Sequence, residues 1–514
     1  MKKSINKNWS ILLIGLLMMG SSCMDLNEVP ETFTAPEMYY ETVVQCQAAL
    51  TGAMRSLVND NQNGGGKYSN APTGWPDGQV SRRNLNFGIT KENGYWNTHW
   101  QAINNINPVI KSVRSGGKMN IENADVKDIL GQALFLRAFN YFFLVQLYGK
   151  LMWFDENTDV FTIMPTLTPA DRKEVSFIYD KIEADLVEAF TLMKDYNTAQ
   201  KGRPCKWSAK ALLSKVYLTR ASIPVKDASA YAKARDAAEE VITCGKYKLL
   251  ELDQIFKTSN PNNEEFIFAF QYSADFPPVC GPTISPEDWD SWSDVEVEEY
   301  FVLHYPEQPR KHFSILCNWP SNLISQSDPA KWNWRPWNLE NNIENPRPTK
   351  WTWPNLTVAQ QVTQWGGNSG RLFPILRISE IYLIYAEATN MAAGAPTEKA
   401  VQYLNLIIDR ANKPFTSVFE ATSIPGTVER ASLTDTKELF HKRVIDERRW
   451  ELCFEFTAYF DVLRTGTLRE TNFDPDWPDD RTDNFTPKDI LFPIPQIDTR
   501  YIGNNDGYPS ITDK

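Results

Sequence analysis

Residues 128–149, DILGQALFLRAFNYFFLVQLYG, are apolar or aromatic almost without a break, which predicts a helix buried on most of its sides. In 174–193 the apolar residues Ile178, Ile182, Leu186 and Phe190 recur at four-residue steps, the spacing of one helical face. Two further helices are predicted at 206–221 and at 228–245, the second ending on Gly245 as its C-terminal cap. Short connectors between helices of this length imply antiparallel pairs, and the small residues of the last two suit tetratricopeptide-type packing, although no strict repeat is present.

A second helical block starts at 377–392, with Ile378, Ile381, Tyr382 and Tyr385 on one face. Thr397 is placed to cap the next helix, whose stripe is Val401, Leu404, Ile408 and Ala411. Residues 436–464 read as one long helix. In its centre Glu447, Glu451 and Glu455 follow at four-residue steps beside Arg448 and Arg449. Like charges so arranged repel unless cations sit among them. The pattern therefore predicts a partly buried structural network of ion pairs with Arg443, Arg448 or another helix.

Between the blocks, residues 257–375 lose helical period and are rich in Pro, Asn, Asp, Ser and Trp. Nine of the 17 tryptophans fall between 289 and 365, and disordered segments are poor in aromatics, so an ordered, loop-rich part is expected here. Residues 59–99 repeat this character on a smaller scale.

The N-terminus changes the picture of where the chain resides. Lys2, Lys3 and Lys7 precede the apolar run 11–19, followed by small residues and Cys23, the pattern of a secretory leader. MGSSC resembles a bacterial lipoprotein cleavage box, which makes 1–22 the signal peptide and Cys23 the lipidated first residue. No later apolar stretch reads as a membrane span. Loss of 1–22 removes three lysines and no acid, so the formal charge goes from −11 to −14. That balance argues against a nucleic-acid partner and against electrostatic adhesion to anionic headgroups.

The candidate chemistry is mostly negative. Six cysteines remain after Cys23, singly spaced and without a zinc pattern; most read as small core residues, and only Cys280 and Cys317 lie in loop-like sequence where they could pair. The four histidines lack metal-ligand spacing, and no nucleophile elbow, phosphate loop or dinucleotide fingerprint occurs, so neither a cofactor, a metal nor an enzymatic activity is expected. Alternating acids and tryptophans in EDWDSWSDVEVEEY (287–300) would suit a glycosidase cleft, but adjacency in sequence does not place two carboxylates across a bond. Indole faces stack on the C–H faces of sugar rings while neighbouring Asn, Asp and Arg bond the hydroxyls. Trp75, Asp77, Trp96, Trp292, Trp319, Trp332, Trp334 and Trp337 are the candidate ligand-binding residues.

LFLRAFNYFFLVQLYGK, LRISEIYLIYAEATN, AVQYLNLIIDRAN, IDERRWELCFEFTAYFDVLRTG and DILFPIPQIDTRYIGNNDGY, in this order, resemble the SusD/RagB family of Bacteroidetes outer-membrane nutrient-binding lipoproteins. The resemblance covers nearly all of 23–514. It implies a mainly α fold of four tetratricopeptide-like helix pairs, with a helical scaffold at 24–256 and 376–514 and a ligand-binding, loop-rich part at about 257–375. It also implies a lipid-anchored protein on the cell exterior that binds a glycan noncatalytically and delivers it to a SusC-like TonB-dependent transporter. The other readings are a peptide-capturing RagB-like lipoprotein, a surface glycoside hydrolase and a helical-repeat protein scaffold.

Overall fold

The computed structural model describes residues 40–63, 89–116, 118–195, 202–257, 259–271, 297, 299–321, 328–331, 333–336, 346–348, 350, 372–416, 421–422, 426–455, 457–467 and six positions between 491 and 503. The leader, Cys23 and Cys280 lie outside these residues.

In helix α1 (Val43–Asn63), Cys46, Leu50, Ala53 and Leu57 recur at three- and four-residue steps, and all four are buried. They pack on α2 (Ile89–Arg114), whose inward face carries Trp96, His99, Ile103, Ile106 and Ile110. Next comes α3 (Ala124–Tyr148), started by the Asn123 side chain accepting from the Asp125 amide and ended at Gly149 with φ 72°. It is buried almost all round, as its continuous apolar run requires. Among the described residues α3 is the one helix long and apolar enough to cross a membrane, a candidate the sequence pattern alone passes over. With 94% of its apolar window inside the fold, it is the core helix of this molecule.

α4 (Val175–Leu192), α5 (Lys206–Ala221) and α6 (Ala230–Thr243) follow, each packed on the one before. The last stops at Thr243, and Gly245 takes its left-handed turn two residues later. After the short α7 (Pro309–Ser314), the second block comprises α8 (Ile378–Ala393), α9 (Glu398–Ala411), α10 (Lys437–Glu451) and α11 (Ala458–Thr465). Thr397 caps α9 as expected, accepting from the Ala400 amide. α1/α2, α3/α4, α5/α6 and α8/α9 pack as pairs, and α6 packs on α8, joining the two blocks of the chain into one stack. The architecture is mainly α and tetratricopeptide-like.

Gly131 sits where α3 meets the end of α4: a Cβ there would fall 2.5 Å from Met193 Cγ and 3.1 Å from the Met193 backbone nitrogen. Gly131→Val is accordingly expected to lower stability by about 1–3 kcal/mol through overpacking, read as a shift of the urea midpoint.

The single helix expected over 436–464 is broken after Glu451. Phe454 adopts a left-handed φ of 63°, and α11 begins only at Ala458. The cause is distant in sequence. The ammonium of Lys350 donates to the carbonyls of Glu451 (2.5 Å) and Cys453 (3.1 Å), and Arg377 Nη2 donates to the Glu451 carbonyl (2.7 Å). Cations at the carbonyl end of a helix satisfy its unpaired acceptors and favour ending it there.

Within 257–375 the described residues form short antiparallel pairs: β1 (Phe266–Phe270), β2 (Ile315–Leu316), β3 (Asn318–Pro320), β4 (Trp334–Pro336), β5 (Arg347–Pro348) and β6 (Phe373–Arg377) pair as β1–β6, β2–β5 and β3–β4. Strands of two to five residues are too short to leave a readable alternation, and β1 is buried along its whole length.

Candidate functional site

Two of the candidate tryptophans, Trp319 and Trp334, fall on the β3–β4 ladder. A 3-10 turn at Pro329–Lys331, started by Asp328 accepting from the Ala330 amide at 3.1 Å, leads into β4. The Ser321 amide closes the loop by donating to the Asn333 carbonyl at 2.9 Å. In register, Asn318 lies opposite Pro336, Trp319 opposite Arg335 and Pro320 opposite Trp334. Asn318 is exposed while Trp319 is 3% exposed, so at these two positions β3 alternates between water and the core. By the two-residue period of a strand, the register position of Trp334 is on the face of Asn318.

Two candidates require correction. Trp319 belongs to the core, and so does Trp96, which is 4% exposed. The Trp96 indole N–H donates to Asp498 Oδ2 at 2.7 Å, and its ring makes edge contacts with Trp100 and Tyr148. Neither can offer an open face to a sugar, because its apolar surface is already covered. A signal for Trp96 was present: it shares the α2 face of Ile103, Ile106 and Ile110. Trp75, Asp77, Trp292, Trp332 and Trp337 lie outside the described residues.

A buried ion network joins the loop-rich part to the scaffold. Glu451, on the last turn of α10, receives Arg310 from α7 (2.8 Å), Arg377 from β6 (2.6 Å) and Arg410 from α9 (2.6 Å). Glu265 bridges Arg377 and Arg410, Glu455 takes Arg377 and Lys350, and Glu447 takes Arg310. The glutamates thus find their cations on distant elements, whereas Arg443 turns outward to Glu429 and Asp435. Arg448 does participate, in a second cluster with Glu380 and Asp461, which continues through Arg464 to Glu387. Sequence reading misses Arg310, Lys350, Arg377 and Arg410 because nothing local marks a cation whose partner is 41–145 residues away.

Burial alone would raise the carboxyl of Glu451, but Arg410, Arg377, Arg310 and Lys350 overcome it and hold it well below the usual range. Burial is likewise outweighed at Glu387 by Arg464 and His441, and at Glu380 by Lys215 and Arg448. A carboxylate so depressed contributes stability that is complete above its unfolded pKa of about 4.3 and is lost as pH falls through the folded value. The urea midpoint is therefore expected to fall steadily below about pH 4.

Beside the network a shallow, open-sided hollow lies between α3, α5 and β6, walled by Phe139, Phe142, Phe143 and Phe460. Its polar groups Lys215 and Glu455 are engaged within the scaffold, by Glu380 and by Arg377 and Lys350.

Two sequence-family profiles account for most of the chain: the SusD family over residues 281–505, and "Starch-binding associating with outer membrane", a SusD-like profile, over 41–218. The chain belongs to the SusD/RagB family. Among SusD-family relatives, SusD-like protein P2 of Formosa agariphila is 25% identical over 98% of this chain and 100% of its own length. A SusD homolog from Bacteroides thetaiotaomicron superposes with a TM-score of 0.68 at 22% identity, covering 93% of this chain and 99% of its own. Surface glycan-binding protein A from Bacteroides thetaiotaomicron, in complex with laminarihexaose, gives a TM-score of 0.64 at 20% identity, covering 90% of this chain and 99% of its own. These likenesses of SusD-family structures establish the fold.

Proposed function

We propose that this protein is a lipid-anchored surface protein of the outer membrane that captures an oligo- or polysaccharide without catalysis and delivers it to a SusC-like TonB-dependent transporter. The observation that carries the reading is the register of the β3–β4 ladder, which puts the position of Trp334 on the side of the exposed Asn318, inside the tryptophan-rich stretch. A flat indole beside amide and hydroxyl groups supplies what a sugar ring needs: an apolar plate and hydrogen-bonding partners around it. Trp332, Trp334 and Trp337 form the proposed platform, with Trp292, Trp75 and Asp77 as further contacts.

Family membership supports this reading, as do the laminarihexaose complex of the glycan-binding relative and the outer-membrane association in the description of the N-terminal profile. The leader and Cys23 support the anchor. The ion network supports a division of labour, in which the helical stack carries the loop-rich part. Incubation with a bound polysaccharide is expected to release no new reducing ends, and detergent extracts are expected to co-purify a TonB-dependent transporter. New reducing ends would overturn the noncatalytic reading, and purification free of any transporter would overturn the delivery role.

A further inference from the structure

Phe161 is 94% exposed, an outlier among the large apolar side chains of the described residues. It sits on an ordered projection. Asp159 caps the short helix Val160–Ile163 through the Thr162 amide (3.4 Å) and hydroxyl (2.6 Å), and a capping box between Thr168 and Asp171 closes the next turn. Residues 160–170, VFTIMPTLTPA, contain no ionisable side chain, and Ile163 is exposed beside Phe161. Phe161 and Ile163 together give this uncharged stretch an exposed apolar tip, and contiguous exposed apolar surface is what marks contact with a partner or a membrane.

Its place in the fold suggests what it meets. Arg114, the last residue of α2, pairs with Glu156 at the foot of the projection, and Asn107 of the same helix holds the Phe154 carbonyl at 3.1 Å. The same end of α2 receives the first described residues of the chain. Ser112 donates to the Tyr40 carbonyl at 2.6 Å, and Lys118, just beyond the helix, pairs with Glu41 at 2.6 Å. Three residues along the chain from Glu41 and from Lys118 are two more exposed apolar side chains, Val44 at 77% and Ile121. The projection therefore shares the end of the molecule at which the segment from Cys23 arrives. Cys23 and Tyr40 are 17 residues apart, so even fully extended that segment spans at most about 60 Å.

We propose that the Phe161 projection inserts into the headgroup–acyl boundary of the bilayer that holds the Cys23 anchor, fixing how the tethered protein is oriented on the membrane. The inference rests on the lipid-anchor reading. Aromatic side chains favour that boundary, and a tether turns a weak apolar contact into an intramolecular one. Lys111, Arg114 and Lys118 are interspersed with Glu41, Asp155, Glu156 and Asp159, so the surround has no strong single-sign charge. Insertion should therefore be insensitive to salt and need no anionic lipid.

The test places a photoreactive benzoylphenylalanine at position 161 of the lipidated mature protein, in vesicles of phosphatidylcholine and phosphatidylethanolamine and in cells. A second probe replaces Leu433, which is exposed but outside this cluster. Vesicle flotation reads the anchor separately. The expected result is flotation together with lipid adducts at 161, at least fivefold above those at 433 and unchanged by salt. Flotation without lipid adducts at 161, or with adducts in cells only to protein, overturns the insertion while sparing the anchor. Failure to float overturns both. Phe161→Ser, which removes no buried contact, is expected to leave glycan binding unchanged.

Discussion

Glu451→Ala is expected to cost the protein about 3–5 kcal/mol, because it leaves buried guanidinium groups without their shared carboxylate. Arg310, Arg377 and Arg410 converge on Glu451 from α7, β6 and α9, and all four side chains are buried. Glu265, Glu447 and Glu455 remain to compensate in part, which places the loss in this range rather than beyond it. A typical domain has about 5–15 kcal/mol in total, so the variant should unfold at a much lower urea concentration. Glu429→Ala is the control: its carboxylate is largely exposed against Arg443, and its removal is expected to change stability by less than about 1 kcal/mol. Equal midpoints for the two variants would show that the network does not hold the loop-rich part to the scaffold.

The second large effect separates the proposed platform from the buried side of β3. Trp332→Ala, Trp334→Ala and Trp337→Ala combined are expected to weaken glycan binding at least tenfold, about 1.4 kcal/mol, with the urea midpoint little changed. Aromatic stacking contributes about 0.5–1.5 kcal/mol per contact beyond buried area, so even two engaged indoles suffice for that loss. Trp319→Ala should behave in the opposite way. Its indole is buried on the inner face, and truncation there is expected to cost about 3–5 kcal/mol of stability by leaving a cavity.

The scaffold was legible because its helices carry their own evidence. The steps Ile178–Ile182–Leu186 and the Thr397 cap need no knowledge of what lies across the interface, and both appear as the period dictates. The break after Glu451 was not legible. The local sequence continues helical, and the decision comes from Lys350 and Arg377, 101 and 74 residues earlier in the chain. The candidate surface was legible only as a composition. Trp96 and Trp319 share the chemistry of the proposed platform tryptophans, and what removes them is packing: the α2 stripe for one and strand alternation for the other. A tryptophan's identity gives its chemistry, while its register decides whether that chemistry faces water.

The most direct measurement is a calorimetric titration of the mature protein, with Cys23 replaced by serine, against a panel of plant, microbial and host glycans and peptides. The account predicts saturable binding to at least one glycan and none to the peptides, with that binding weakened at least tenfold by the combined Trp332, Trp334 and Trp337 substitutions. Binding to peptides alone, or to no glycan in the panel, would contradict it.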